Sequence, residues 1–223
     1  MHHDLVVFDD LDALSRAGAR YVTGLAHDAV RHDGTFHFAV SGGRTPWQML
    51  AVLATLDMPW ERTVIWQVDE RVAPEDDPDR NLAHLREALG DAAAQVRPMP
   101  VEDADLDAAA ARYGAALPNR LHLVHLGLGP DGHTASLVPT DPVLSVQDLP
   151  VALTATGYGG RRRMTLTYPG IKRARWLLWL VSGDDKRGAL EKLLAADPSI
   201  PAGRVEAGSS LIMADRAAAP GRD

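Results

Sequence analysis

Apolar positions along this chain alternate between two spacings. Between Asp10 and Arg31 they fall at 11, 14, 17, 21, 22, 25, 26, 29 and 30, a stripe down one side of a helix that Gly34 ends. On either side, Leu5–Phe8 and Thr35–Val40 are short runs rich in β-branched and aromatic residues, the pattern of strands. The alternation continues. Trp47–Leu56 reads as a helix with Pro46 at or near its first position, Thr63–Val68 as a strand, and Leu82–Leu89 as a helix capped by Asn81. Val96–Val101 is a further strand candidate, and Asp105–Leu117 an Ala-rich helix. Leu121–Leu126 is a strand with apolar residues at 121, 123, 124 and 126. Val151–Ala155, Met164–Thr167, Arg175–Val181 and Ser210–Met213 read as strands, Lys186–Ala196 as a helix, and the segment after Asp215 as a short helix or a frayed tail.

Strands alternating with helices imply an α/β fold: a largely parallel sheet with helices on both faces, in a single domain spanning residues 1–223. In such a sheet the loops that follow the strands lie along one edge, where ligands bind. Four of those loops are polar or glycine-rich: 41–46, 69–71, 127–134 and 182–186. They are expected to converge on one site.

The loop at 41–46 suits an anion. Ser41, Gly42 and Gly43 let backbone N–H groups face a ligand oxygen, Thr45 adds a hydroxyl, and the next helix adds its positive end. No G-x-x-x-x-G-K-[ST] is present, so a single phosphate fits better than a nucleoside triphosphate. A tight strand-to-helix turn is the plainer explanation. Lys186 adds a point charge or is an ordinary surface lysine. Asp69-Glu70-Arg71 offers two carboxylates and a guanidinium, matched to hydroxyl and carbonyl groups, or else an ion-pair cluster satisfied by itself.

The longest glycine-rich turn runs from Gly127 through Gly129, Pro130, Asp131 and Gly132 to His133. It matches G-x-G-x-x-G, but Pro139 and Pro142 leave no room for the long helix that a dinucleotide needs. His133 is placed to act as a general base, tuned by a carboxylate such as Asp131. His122 and His125, three apart on a strand, face opposite sides and make a poor metal pair.

Composition narrows the classes. The chain has 46% apolar residues, ample for a core, and no cysteine, which excludes disulfides and thiolate chemistry. Its net charge of −7 disfavours nucleic acid and anionic membranes, although Arg161–Arg163, Lys172, Arg173, Arg175, Lys186 and Arg187 crowd into one stretch. No charged start leads into an apolar segment, and Trp176–Val181 is too short to span a bilayer, so a cytoplasmic protein is expected.

Five blocks in this order resemble the 6-phosphogluconolactonase family and its glucosamine-6-phosphate isomerase relatives. They are S-G-G-R-T-P at 41–46, D-E-R at 69–71 with Asn81, G-L-G-P-D-G-H-T-A-S-L at 127–137, R-M-T-L-T at 163–167 and V-S-G-D-D-K at 181–186. The resemblance implies a NagB/RpiA-like, Rossmann-related fold. It also implies hydrolysis of 6-phospho-D-glucono-1,5-lactone in the oxidative pentose phosphate pathway, without metal or cofactor. His133, Asp69 and Arg71 would be catalytic. Ser41, Gly42, Gly43, Arg44, Thr45, Asn81, Gly129, Asp131, Gly132, Arg163 and Lys186 would bind the phosphosugar lactone, in a monomer or, alternatively, a dimer. The chain departs from the family at Arg44 and Arg80, where serine is usual, across Tyr158-Gly159-Gly160-Arg161-Arg162, and in a last strand without tryptophan. A deaminase-isomerase or a non-catalytic phosphosugar sensor are the alternatives. Thr134-Ala135-Ser136-Leu137 after the histidine disfavours the deaminase, and the absence of length for a DNA-reading module disfavours the sensor.

Overall fold

The computed structural model describes residues 2–92, 94–155 and 159–221, so Gly157 and Tyr158 lie outside the described residues. In chain order the strands are β1 (Asp4–Phe8), β2 (Phe36–Val40), β3 (Thr63–Gln67), β4 (Asp69–Arg71), β5 (Gln95–Arg97), β6 (Leu121–Leu126), β7 (Val151–Leu153), β8 (Arg163–Leu166), β9 (Ala174–Val181) and β10 (Ser209–Asp215). The helices are α1 (Leu11–Asp33), α2 (Arg44–Leu53), α3 (Asn81–Leu89), α4 (Leu106–Ala116), α5 (Tyr168–Ile171) and α6 (Arg187–Leu194). Seven strands form a parallel sheet in the order β1-β10-β9-β6-β2-β3-β5, with β6 at its centre.

The period of two decides which residues face which helices. Phe38, Val40, Leu123, Leu178 and Leu180 pack with Leu14 and Val22 of α1, Met49 and Leu53 of α2, and Leu85 of α3. Their neighbours Ala39, Val124, Leu177, Trp179 and Val181 pack on the other face with Tyr113 of α4 and Leu190 of α6. The expected α/β layering is therefore observed. α1 is closed at both ends: Gly34, which the sequence marks as its end, takes φ +75°, and the Asp10 carboxylate accepts from the Ala13 N–H at 2.8 Å. Such a cap contributes about 1 kcal/mol.

Three expectations need correction. Asp69-Glu70-Arg71 is not a turn but strand β4. It pairs antiparallel with β8, and β8 with β7, in a second, three-stranded sheet. The partner of β4 lies about ninety residues away, beyond the reach of local pattern. The strand at Val96–Val101 shrinks to β5, because Pro98 and Pro100 cannot donate to a ladder. Asn81 does not cap α3. Arg80 occupies the cap position without a side-chain bond, and Glu70 accepts from the N–H groups of Asn81 and Leu82, each at 2.8 Å.

One buried histidine makes the fold pH-sensitive. His125 is fully buried in β6 between Val40 and Leu178, with no hydrogen-bond partner for either ring nitrogen among the described residues. Burial lowers its pKa to about 3, so the folded ring stays neutral where the unfolded one, titrating near 6.5, takes up a proton. Its contribution to stability is complete above pH 6.5 and is lost as pH falls toward the folded value, at up to about 1.4 kcal/mol per pH unit. His125→Leu removes the titration. Thermal melts at pH 7 and pH 5 are expected to show a smaller drop in Tm for the variant than for the parent chain, and equal drops would refute this account.

Candidate active site

β2, β6 and β9 end along one edge of the sheet, and β3 runs through Val68 into β4 at the same edge. Their following loops enclose a cavity of about 540 Å³, within the range that holds a small metabolite. Its walls include Ser41, Gly42, Gly43, Arg44, Thr45, Asp69, Arg71, Asn81, Gly129, His133, Arg163 and Lys186, so the four polar loops do converge. Asp131 and Gly132 stand outside this wall. Gly132, at φ +80°, turns the chain where a Cβ would come within 2.4 Å of Ile200. Asp131 instead touches the histidine.

That contact sets the state of the ring. Asp131 Oδ1 lies 2.5 Å from His133 Nδ1 and also accepts from the His133 backbone N–H at 3.1 Å. Partial burial works to raise the pKa of Asp131. The hydrogen bond from the His133 N–H and the charge and hydrogen bond of its ring together prevail, and hold it below the usual carboxylate range. An ionised carboxylate can only accept, so Nδ1 carries the hydrogen and Nε2 is the basic nitrogen. The ring is close-packed as well. A Cβ at Gly129 would lie 2.0 Å from His133 Nδ1, so only glycine admits the imidazole there.

In the same wall, Gly43 precedes α2 as its cap residue, with φ +130° and no side-chain cap bond. Helix geometry leaves the N–H groups of Arg44 and Thr45 without intrahelical acceptors, aimed out of the helix end. The Ser41 hydroxyl is not directed at a ligand, since it donates to the His125 carbonyl at 3.0 Å and pins this loop to β6. Lys186 stands half-buried beside Asp185, 3.0 Å from its carboxylate, at the close of the single turn Asp184–Lys186 that precedes α6.

Other residues of the wall share a hydrogen-bonded frame. Arg71 Nη1 donates to Asn81 Oδ1 and to the Asp79 carbonyl, each at 2.5 Å. Asn81 Nδ2 donates to the Asp69 carbonyl at 2.9 Å, and Asp69 Oδ2 accepts from the Ser136 hydroxyl at 2.6 Å. Gly42 lets Asn81 approach the phosphate-type loop, because a Cβ there would sit 2.0 Å from Asn81 Oδ1. Arg71 and Arg163 are directly opposed on β4 and β8, and both line the cavity. The walls hold Arg44, Arg71, Arg163 and Lys186 against Asp69 and Asp185, a local excess of cations on an acidic chain.

Sequence reasoning gave Ser136 no role of its own, and read Glu70 only as a carboxylate of the Asp69-Glu70-Arg71 cluster, for a ligand or for an ion pair. Ser136 is fully buried, and its partner Asp69 is distant in sequence, so no spacing signals the pair. Glu70 is fully buried beneath the site and accepts from Gln67 Nε2 at 2.9 Å and the Arg71 N–H at 2.7 Å, in addition to the start of α3. Its neighbour Arg80, 3.3 Å away, is the residue noted above as departing from serine. It is buried and also binds Glu102 and the Ala73 carbonyl.

The family model described as glucosamine-6-phosphate isomerases/6-phosphogluconolactonase matches residues 9–213. The 6-phosphogluconolactonase of Mycobacterium tuberculosis is 36% identical, over 98% of each chain. The GDH/6PGL endoplasmic bifunctional protein of Oryctolagus cuniculus is 38% identical over 79% of this chain, which spans about 24% of that longer protein. Among solved structures, the 6-phosphogluconolactonase of Thermotoga maritima superposes with a TM-score of 0.86 at 23% identity, covering 96% of this chain and all of that one, which shows a shared fold.

Proposed function

The chain belongs to the glucosamine-6-phosphate isomerase/6-phosphogluconolactonase family, and from that premise we propose that it hydrolyses 6-phospho-D-glucono-1,5-lactone to 6-phospho-D-gluconate, a step of the pentose phosphate pathway. The observation that carries this reading is a carboxylate-oriented histidine lining the same cavity as the amino terminus of α2, Arg44 and Lys186.

The 6-phosphate is held by the N–H groups of Arg44 and Thr45, the Thr45 hydroxyl and the two cations, Arg44 and Lys186. With that end fixed, the lactone carbonyl reaches His133. Nε2 takes a proton from water as the oxygen attacks C1, and Asp131 stabilises the imidazolium that forms. Arg71 has Nη1 engaged by Asn81 and Asp79, so its remaining N–H groups meet the charge that develops on the carbonyl oxygen. Collapse of the tetrahedral intermediate breaks the bond from C1 to the ring oxygen, and the imidazolium returns its proton to that oxygen. Asp69, oriented by Ser136, accepts hydrogen bonds from sugar hydroxyls.

Because the phosphate is remote from the reacting carbon, its binding serves to position the carbonyl. Hydrolysis above the spontaneous background is expected to be fast for the phosphorylated lactone. For unphosphorylated gluconolactone kcat/KM should be lower by roughly a hundredfold or more, which corresponds to about 3 kcal/mol of positioning. Equal rates on both lactones, or none above background on either, would overturn the assignment.

A further inference from the structure

The opposite edge of the sheet carries a second concentration of positive charge. Lys172, Arg173 and Arg175 surround the start of β9, where Arg120 from the turn before β6 and Arg204 from the helical turn Ala202–Arg204 join them. They line an open groove of about 680 Å³ and the hollow that continues it. Glu206 is the one acidic side chain among the lining residues, 2.9 Å from Lys172 Nζ. Among the described residues, Arg120, Arg175 and Arg204 have no carboxylate within ion-pair distance.

These cations are partly held in place. Arg173 Nη1 donates to the carbonyl oxygens of Leu117 at 3.1 Å and Pro118 at 3.4 Å, closing the end of α4. Arg204 Nε donates to the Pro198 carbonyl at 2.7 Å, leaving both Nη groups for a ligand. Tyr168 donates its hydroxyl to the Pro201 carbonyl at 3.0 Å, and with Leu144 its ring makes an apolar wall. Clustered like charges repel each other, yet on a chain of net charge −7 five of them gather here around a concavity.

We propose that this groove is a second anion site, taking a small molecule that bears two or more phosphate or carboxylate groups. β9 separates it from the candidate active site by about 23 Å, from seven steps of roughly 3.3 Å each. The remaining surface is acidic, which favours a small ligand over a nucleic acid.

Calorimetric titration with inorganic pyrophosphate, in salt of about 0.15 M so that diffuse attraction is screened, tests this with the full chain and two double variants. Arg175→Ala with Arg204→Ala is expected to weaken one binding event at least roughly tenfold while leaving lactone hydrolysis unchanged. Arg44→Ala with Lys186→Ala, which impairs the candidate active site, should leave that event intact. The proposal fails if pyrophosphate does not bind, if all binding disappears with Arg44 and Lys186, or if the groove variant binds as the parent does. Binding of heparin without pyrophosphate would also overturn it, in favour of a macromolecular polyanion. Melting temperatures of both variants close to the parent value exclude unfolding as the cause of any loss.

Discussion

His133→Asn is expected to lower kcat for phosphogluconolactone hydrolysis by about two to four orders of magnitude, the usual contribution of a positioned general base. KM and Tm should change little. The proposed phosphate ligands do not include this ring, and the side chain is 21% exposed at the cavity wall, so little packing is lost. Asn offers an amide that can hydrogen-bond water but cannot take its proton at neutral pH. Asp131→Asn gives an intermediate result. The amide can donate as readily as accept, so Nδ1–H is no longer the enforced tautomer, and the positive charge formed in the reaction loses its neighbour. Initial rates corrected for spontaneous hydrolysis measure both. If His133→Asn retains more than about a tenth of the parent kcat, the histidine is not the base and another group must deprotonate the water.

The parts of this site that were legible in the sequence are those set by local chemistry. Gly43 before Thr45 and Pro46, Gly129 and Gly132 before His133, and Gly34 after α1 all constrain the backbone within a few residues, so their types declare their roles. Regular alternation likewise announced β6 and its neighbours, and with them the edge where the loops meet. What could not be read depends on partners remote in sequence. β4 is a strand because Arg163–Leu166 lies beside it, not because Asp-Glu-Arg favours extended structure. Asp69 meets Ser136 across 67 positions, whereas the contact of Asp131 with His133, two residues on, was legible as a carboxylate tuning the ring. A helix start normally advertises its cap in the adjacent residue. Here the acceptor comes from eleven residues earlier, so Asn81 looked like a cap and is instead a clamp on Arg71.

That displaced cap makes Glu70 the residue whose loss should cost most stability. One oxygen of its carboxylate accepts from the backbone N–H groups of Arg71 and Asn81, and the other from Leu82 N–H and Gln67 Nε2, with Arg80 Nε at 3.3 Å. Every neighbour is a donor, and a carboxylate is the side chain that accepts at both ends. Glu70→Ala strands buried N–H groups and removes one partner of a buried ion pair, a change that costs about 3–5 kcal/mol. Glu102 and the Ala73 carbonyl remain to Arg80 and hold the cost within that range. For a chain of this size the expected fall in Tm is on the order of 10 °C. Glu70→Gln keeps the shape, but either orientation of the amide turns its NH₂ toward at least two donors, so most of the loss should persist. Both variants should also lose kcat/KM at temperatures where they stay folded, because Arg71 and Asn81 are positioned through this carboxylate. A Tm for Glu70→Gln within about 2 °C of the parent would mean that water or backbone rearrangement satisfies those donors, and that β4 and α3 are held together by packing alone.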